Sequence, residues 1–191
     1  MLDLTAQTTE ITRLVAAVPE DALSSPTPCP GYDVAGLLAH LHGLSIAFAD
    51  AARKVDGPTT RTPPDPTAVR LPDDWRTSLP AALTDLAAAW QTPGATEGAT
   101  WAGGLGFPAE QALVVAADEL VLHGWDLAVA TGLAYSPDAE AVGAAHAMCA
   151  ATPDHPSARQ GLFGPVLEIS PDAPLLDRTL GLAGRDPAWR P

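Results

Sequence analysis

Lysine occurs once in the 191 residues, at Lys54, and neither lysine nor arginine occurs anywhere from Thr77 to Ala158. Ten basic residues stand against 23 acidic ones, a formal charge of −13. That balance argues against nucleic-acid binding, which wants a basic patch, and it opposes docking on an anionic membrane surface. Cysteine is scarce too. Cys29 and Cys149 are too few for a disulfide framework or an all-cysteine zinc site. Two reduced thiols are expected. No run of about 18 apolar residues free of charge occurs, so no membrane span is indicated. Asp3 and Glu10 stand where a signal peptide would be basic and then strongly apolar. The expectation is a cytoplasmic chain.

The missing basic residues matter most in the segment Asp118-Glu-Leu-Val-Leu-His-Gly-Trp-Asp126. Read as helix, it places Glu119 and His123 one turn apart on one face, with Asp126 near that face. The same face carries Val115, Ala116, Leu122 and Leu127 and so turns inward. A carboxylate there needs a positive partner or gives up its charge. A metal ion is one candidate; an arginine brought from elsewhere, Arg13, Arg53 or Arg178, is another. A catalytic metal commonly takes three protein ligands and an open water position, so a third ligand must come from another helix. His40 and His42 are the candidates there. Two residues apart on a helix, they point to nearly opposite sides, and periodicity does not separate them. His146 and His155 have no partner at ligand spacing. Cys29 reads as structural rather than nucleophilic, and Arg185-Asp186 as a local turn pair.

Hydrophobic residues make up 47% of the chain, enough for the core of one domain with a small appendage. Amphipathic or apolar periodicity predicts helices over residues 4–18, 33–54, 75–90, 108–131 and 137–150. Asp33 is a plausible N-cap, Pro108 fits a first turn and Gly132 would end the fourth helix. Residues 24–32 form a loop with three prolines. Residues 56–74 have no period and read as a long surface connection or a lid over a site. Residues 92–106 read as a Gly/Thr-rich link around Trp101. Residues 163–169 read as a short strand or a packed extended segment, and 175–182 as a last short helix. Trp101 and Trp125 read as core or interface residues. Long apolar helices with a crossover-length connection point to an all-α four-helix bundle. The expected division is a bundle over residues 1–152 and a short irregular C-terminal extension over 153–191.

Three motifs in order carry a resemblance. Pro26-Thr-Pro-Cys-Pro-Gly-Tyr-Asp-Val34 with Leu37-Leu-Ala-His-Leu41, then Glu119-Leu-Val-Leu-His-Gly-Trp-Asp-Leu-Ala128, then Asp172-Ala-Pro-Leu-Leu-Asp-Arg178 with Gly184-Arg-Asp-Pro-Ala-Trp189 resemble the actinobacterial DinB-like metal-binding proteins. That group includes the N-terminal domain of mycothiol-dependent maleylpyruvate isomerase; the last motif resembles a short branch of it. The resemblance implies a DinB-like four-helix bundle with a divalent metal, usually zinc, at one end. By motif, His40, Glu119 and His123 become the metal ligands, His42 a neighbour, and Asp126 a residue that orients His123 or a thiol group. It further implies a metal-dependent transferase or isomerase that uses a low-molecular-weight thiol of the mycothiol type and an electrophile. A non-catalytic metal-stabilised module, able to pair as a homodimer through its helices, and a metal-assisted hydrolase are the competing readings. Tyr32 stands where tryptophan is usual in the group, and 191 residues hold little of the further C-terminal domain that helps form the isomerase active site.

Overall fold

The computed structural model describes residues 2–63, 65 and 70–191. Its elements in chain order are α1 (Thr5–Ala17), α2 (Val34–Ala52), α3 (Pro58–Arg61), α4 (Trp75–Trp90), β1 (Ala99–Ala102), β2 (Leu105–Pro108), α5 (Ala109–Thr131), α6 (Ala139–Ala151), α7 (Pro156–Arg159) and α8 (Leu175–Leu182). The bundle consists of α1, α2, α4 and α5. Both α1 and α2 pack on α4 and on α5, which closes the four into a ring.

Local chemistry sets the helix limits. The Asp33 carboxylate accepts from the Gly36 amide at 2.7 Å and starts α2. This side-chain cap satisfies an amide that has no partner inside the helix. Gly132 ends α5 in the left-handed region, at φ 68°. Leu37, Leu38, Leu41, Leu79, Leu83, Leu86, Leu120 and Leu127 are fully buried in the centre of the ring. At about 1.5–3 kcal/mol per large side chain removed from water, this layer dominates the fold. Among the described residues only α2 is long and apolar enough to cross a membrane, with a mean hydropathy of 1.3 over its best window. Of that window 61% is buried inside the protein, the environment of a core helix.

The segment 92–106, read as a link, is partly a hairpin. β1 and β2 pair antiparallel, with Ala99 opposite Pro108 and Ala102 opposite Leu105. The two-residue turn Gly103-Gly104 has φ of 55° and 81°, the backbone that a tight hairpin needs and that side chains resist. Thr100 Oγ1 donates to the Ala51 carbonyl at 2.6 Å and ties the hairpin to α2. The guanidinium of Arg61, on α3, lies 3.2 Å over the Trp101 ring. Within the 56–74 connection, residues 64 and 66–69 lie outside the described residues, and with them part of the proposed lid.

Beyond the bundle, α6 packs on α5 and α8 packs on α6. A second, smaller core joins them: Leu122 and Trp125 of α5, Cys149 of α6, and Leu180 and Ala183 at the C-terminal end. Residues 163–169 form no strand. They run extended beside α8, with the Leu167 amide donating to Gly181 O at 2.9 Å and the Gly164 amide to Ala183 O at 3.1 Å.

Candidate metal centre

His40 comes from α2, and Glu119 and His123 from adjacent turns of α5. The packing of α2 on α5 brings the three together. Glu119 Oε2 stands 3.0 Å from His123 Nε2 and 3.5 Å from His40 Nε2. The imidazole rings meet edge to face, with centroids 4.8 Å apart at 90°. The three candidate donor atoms all lie within 4.8 Å of one another. Two donors bound to one tetrahedral ion at about 2.0–2.2 Å stand about 3.3–3.6 Å apart. The spacing and the donor set, two imidazole nitrogens and one carboxylate, therefore fit a divalent ion of the zinc type.

Each histidine is held from behind. His123 Nδ1 lies 3.0 Å from Asp126 Oδ2, which leaves Nε2 for the centre. Tyr32 stacks on His40 with ring centroids 5.2 Å apart, its hydroxyl 3.5 Å from Nδ1. A carboxylate on the far nitrogen of a metal-binding histidine fixes its tautomer and ring orientation. Asp126 is fully buried and is gripped in turn by Arg185, whose Nε donates to Oδ1 at 2.9 Å and whose second nitrogen donates to Oδ2 at 2.8 Å. Arg185 is thus not half of a local turn pair with Asp186. It reaches across 59 positions into the bundle, while Asp186 caps the Ala188 amide at 2.8 Å.

Charge in the centre is strongly biased. Partial burial opposes ionisation of Glu119, but hydrogen bonds from His123 and His40 and their charges outweigh it and hold the carboxyl well below the usual range. Burial likewise favours a neutral His123, yet its hydrogen bonds to Asp126, Cys29 and Glu119 and the Glu119 charge raise it well above the ordinary imidazole value. The Glu119 carboxylate therefore stays ionised between the two imidazoles. Asp126 is penalised by burial but kept below the normal carboxylate range, chiefly by the Arg185 charge and then by its hydrogen bonds. Asp118, which opens the same segment, is buried and turned toward α6, where Cys149 Sγ lies 3.4 Å from its Oδ1. Burial and then the Glu119 charge push its carboxyl up to about 7.

None of the arginines weighed as partners for Glu119 is among its hydrogen-bond partners. Arg13 pairs with Glu10 at 2.7 Å and Arg53 with Asp85 at 2.5 Å. Arg178 lines a separate cleft with His146 and Leu182. His146 meets Thr179 and His155 meets Ser157, so neither joins the centre. Cys29 does approach it: the donor atoms of Cys29, His123 and Asp126 also lie within 4.8 Å of one another. That alternative set is the poorer one, because both Asp126 oxygens are already engaged by Arg185 and His123. Glu119 is the freer donor, its side chain 31% exposed and its Oε2 directed at two imidazoles.

A family model, the mycothiol maleylpyruvate isomerase N-terminal domain, matches residues 4–128. A sequence search of curated proteins gives no match. Among solved structures, the fold resembles the mycothiol-dependent maleylpyruvate isomerase, with TM-score 0.60 and 17% identity. It equally resembles a histidine-to-alanine mutant of that enzyme, with TM-score 0.59 and 16% identity. Each superposition covers 75% of this chain and 65% of the other, so the chain spans somewhat less than two thirds of those proteins. At such identities the likeness is one of fold. The helical bundle and the match across most of its length place this chain in the mycothiol maleylpyruvate isomerase N-terminal domain family.

Proposed function

We propose that this protein binds a divalent metal, zinc by preference, through His40, Glu119 and His123, and uses it in the chemistry of a low-molecular-weight thiol of the mycothiol type. The convergence of two imidazole Nε2 atoms on one oxygen of Glu119, inside the family-matched region, carries the reading. An ion bound there would act as a Lewis acid, lowering the pKa of a thiol or polarising a carbonyl oxygen. The residues supply the rest. Glu119 contributes the one ligand charge, so a divalent ion keeps net positive charge for an incoming thiol. Asp126 fixes His123 with Nε2 facing inward, and Tyr32 covers His40. In this reading residues 1–152 are the metal-binding bundle and 153–191 an extension packed on it, and the partners are a small thiol and an electrophile.

The decisive experiment is elemental analysis of protein purified without added metal, followed by mycothiol-dependent turnover against a panel of electrophiles that includes maleylpyruvate. We expect about one zinc per chain, lost in His123→Ala and Glu119→Ala, and turnover only with thiol present. Metal-free protein that gains no zinc on titration overturns the reading. The competing reading is a non-catalytic, metal-stabilised module. Zinc uptake without turnover of any electrophile would support that alternative.

A further inference from the structure

Arg185 lies outside the family-matched residues 4–128, in the segment read from sequence as an irregular appendage. Its side chain is only 11% exposed, and it holds both oxygens of an Asp126 that is fully buried. Asp126 in turn holds His123 Nδ1 at 3.0 Å. The chain's path to this point is built rather than incidental. Gly184 has φ 80°, and a Cβ there would come within 2.5 Å of Gly164 Cα, so the backbone passes where only glycine fits. The Arg185 amide donates to Leu180 O at 2.8 Å. Leu180 and Ala183 pack with Leu122 and Trp125, the latter two flanking His123 in sequence. Arg159 pins the same segment from the other side through Gly164 O and Leu182 O.

We propose that Arg185 is a positioning residue of the metal centre, so that metal binding and docking of residues 163–189 are one coupled equilibrium. The proposal rests on the reading of His40, Glu119 and His123 as metal ligands. Without the two guanidinium hydrogen bonds the Asp126 carboxylate is no longer fixed in place. Its contact with Nδ1 then no longer holds the His123 ring in the orientation that presents Nε2. Removing such an outer support typically lowers metal affinity by about 10–100-fold. Coupling is reciprocal: whatever factor docking adds to metal affinity, bound metal adds to docking.

The test is zinc titration against a chelating indicator, with amide exchange of residues 175–189 followed with and without zinc. Arg185→Met should weaken zinc about 10–100-fold, and Arg185→Lys, which keeps the charge but loses the paired hydrogen bonds, by less. Because Arg185→Met strands a buried carboxylate, the double variant Asp126→Asn/Arg185→Met removes both charges. It should regain thermal stability yet still bind zinc at least about 10-fold more weakly than wild type. Arg159→Met, which loosens the same segment through Gly164 O and Leu182 O without touching Asp126, should also weaken zinc, but by less than Arg185→Met. Zinc should slow exchange in residues 175–189 of the wild type and not of Arg185→Met. Wild-type zinc affinity in the folded double variant overturns the positioning role and leaves the metal reading standing. Wild-type protein that takes up no zinc overturns both.

Discussion

Tyr32 lies nearly flat against His40, the ring centroids 5.2 Å apart and the planes inclined by 26°, with its hydroxyl 3.5 Å from Nδ1. The oxygen sits at the outer limit of a hydrogen bond, where such contacts contribute little. The stacked rings therefore hold His40 more firmly than the hydroxyl does. Tyr32→Phe should change zinc affinity by less than about threefold, whereas Tyr32→Ala, which uncovers the ring, should weaken it by about tenfold, in line with other outer-shell losses. Competitive zinc titration of both variants checks the ordering. An equal loss in both would show that the hydroxyl, not the ring, holds His40.

His42 shares a helix with His40 but faces away from the three-donor cluster, which contains His40 and not His42. His42→Ala should keep the full zinc stoichiometry, while His40→Ala should lose most of it, since two protein ligands hold a zinc poorly. Elemental analysis of the two purified variants, with circular dichroism to confirm helix content, separates them.

What is legible in the sequence follows from range. The helices and their ends depend on local periodicity and on caps such as Asp33 and Gly132, and the structure places them within a few residues of expectation. The Glu119 and His123 pairing is equally local, one turn of one helix. Choosing between His40 and His42 needs either the motif or the packing of α2 on α5, because a helix that is apolar on several sides has no single inward face. The hairpin also leaves a local signal, Gly103-Gly104 between two short apolar runs, which the Gly/Thr-rich composition around it obscures. The Arg185–Asp126 pair leaves none. Its 59-residue separation has no periodic trace, and Asp186 beside it offers a simpler local partner.

Glu10 is nearly buried on α1, where it accepts from Arg13 through both oxygens at 2.7 Å and from the Ser136 amide at 2.8 Å. The Arg13 hydrogen bonds, working against burial and helped by Ser136, lower its pKa. A carboxyl whose folded value lies below its unfolded value contributes stability that is fully present above the unfolded value, about 4.3, and is lost as pH falls through the folded value. Glu10→Gln should lower the thermal midpoint by a few degrees at pH 7, and the gap between variant and wild type should close below about pH 4. Thermal melts of both proteins across pH 3–7 test this. A gap that persists unchanged at pH 3 would assign the effect to packing instead of charge.

Gly184 tests the C-terminal docking without touching a charged group. Its φ of 80° resists any side chain, and a Cβ would meet Gly164 Cα at 2.5 Å, Gly164 C at 2.6 Å and Pro165 O at 2.8 Å. All three are backbone atoms, so no flexible side chain can swing aside. Gly184→Ala must therefore shift one of the two chain segments, at a cost of about 1–3 kcal/mol. The bundle core of α1, α2, α4 and α5 does not depend on that contact, so the loss should appear locally: faster proteolysis and faster amide exchange in residues 163–189, with bundle amides unchanged. If the Arg185–Asp126 contact transmits docking to His123, the same variant should also bind zinc more weakly, although residue 184 lies outside the donor set. Uniform acceleration of exchange across the whole chain would instead make the segment part of a single cooperative unit with the bundle.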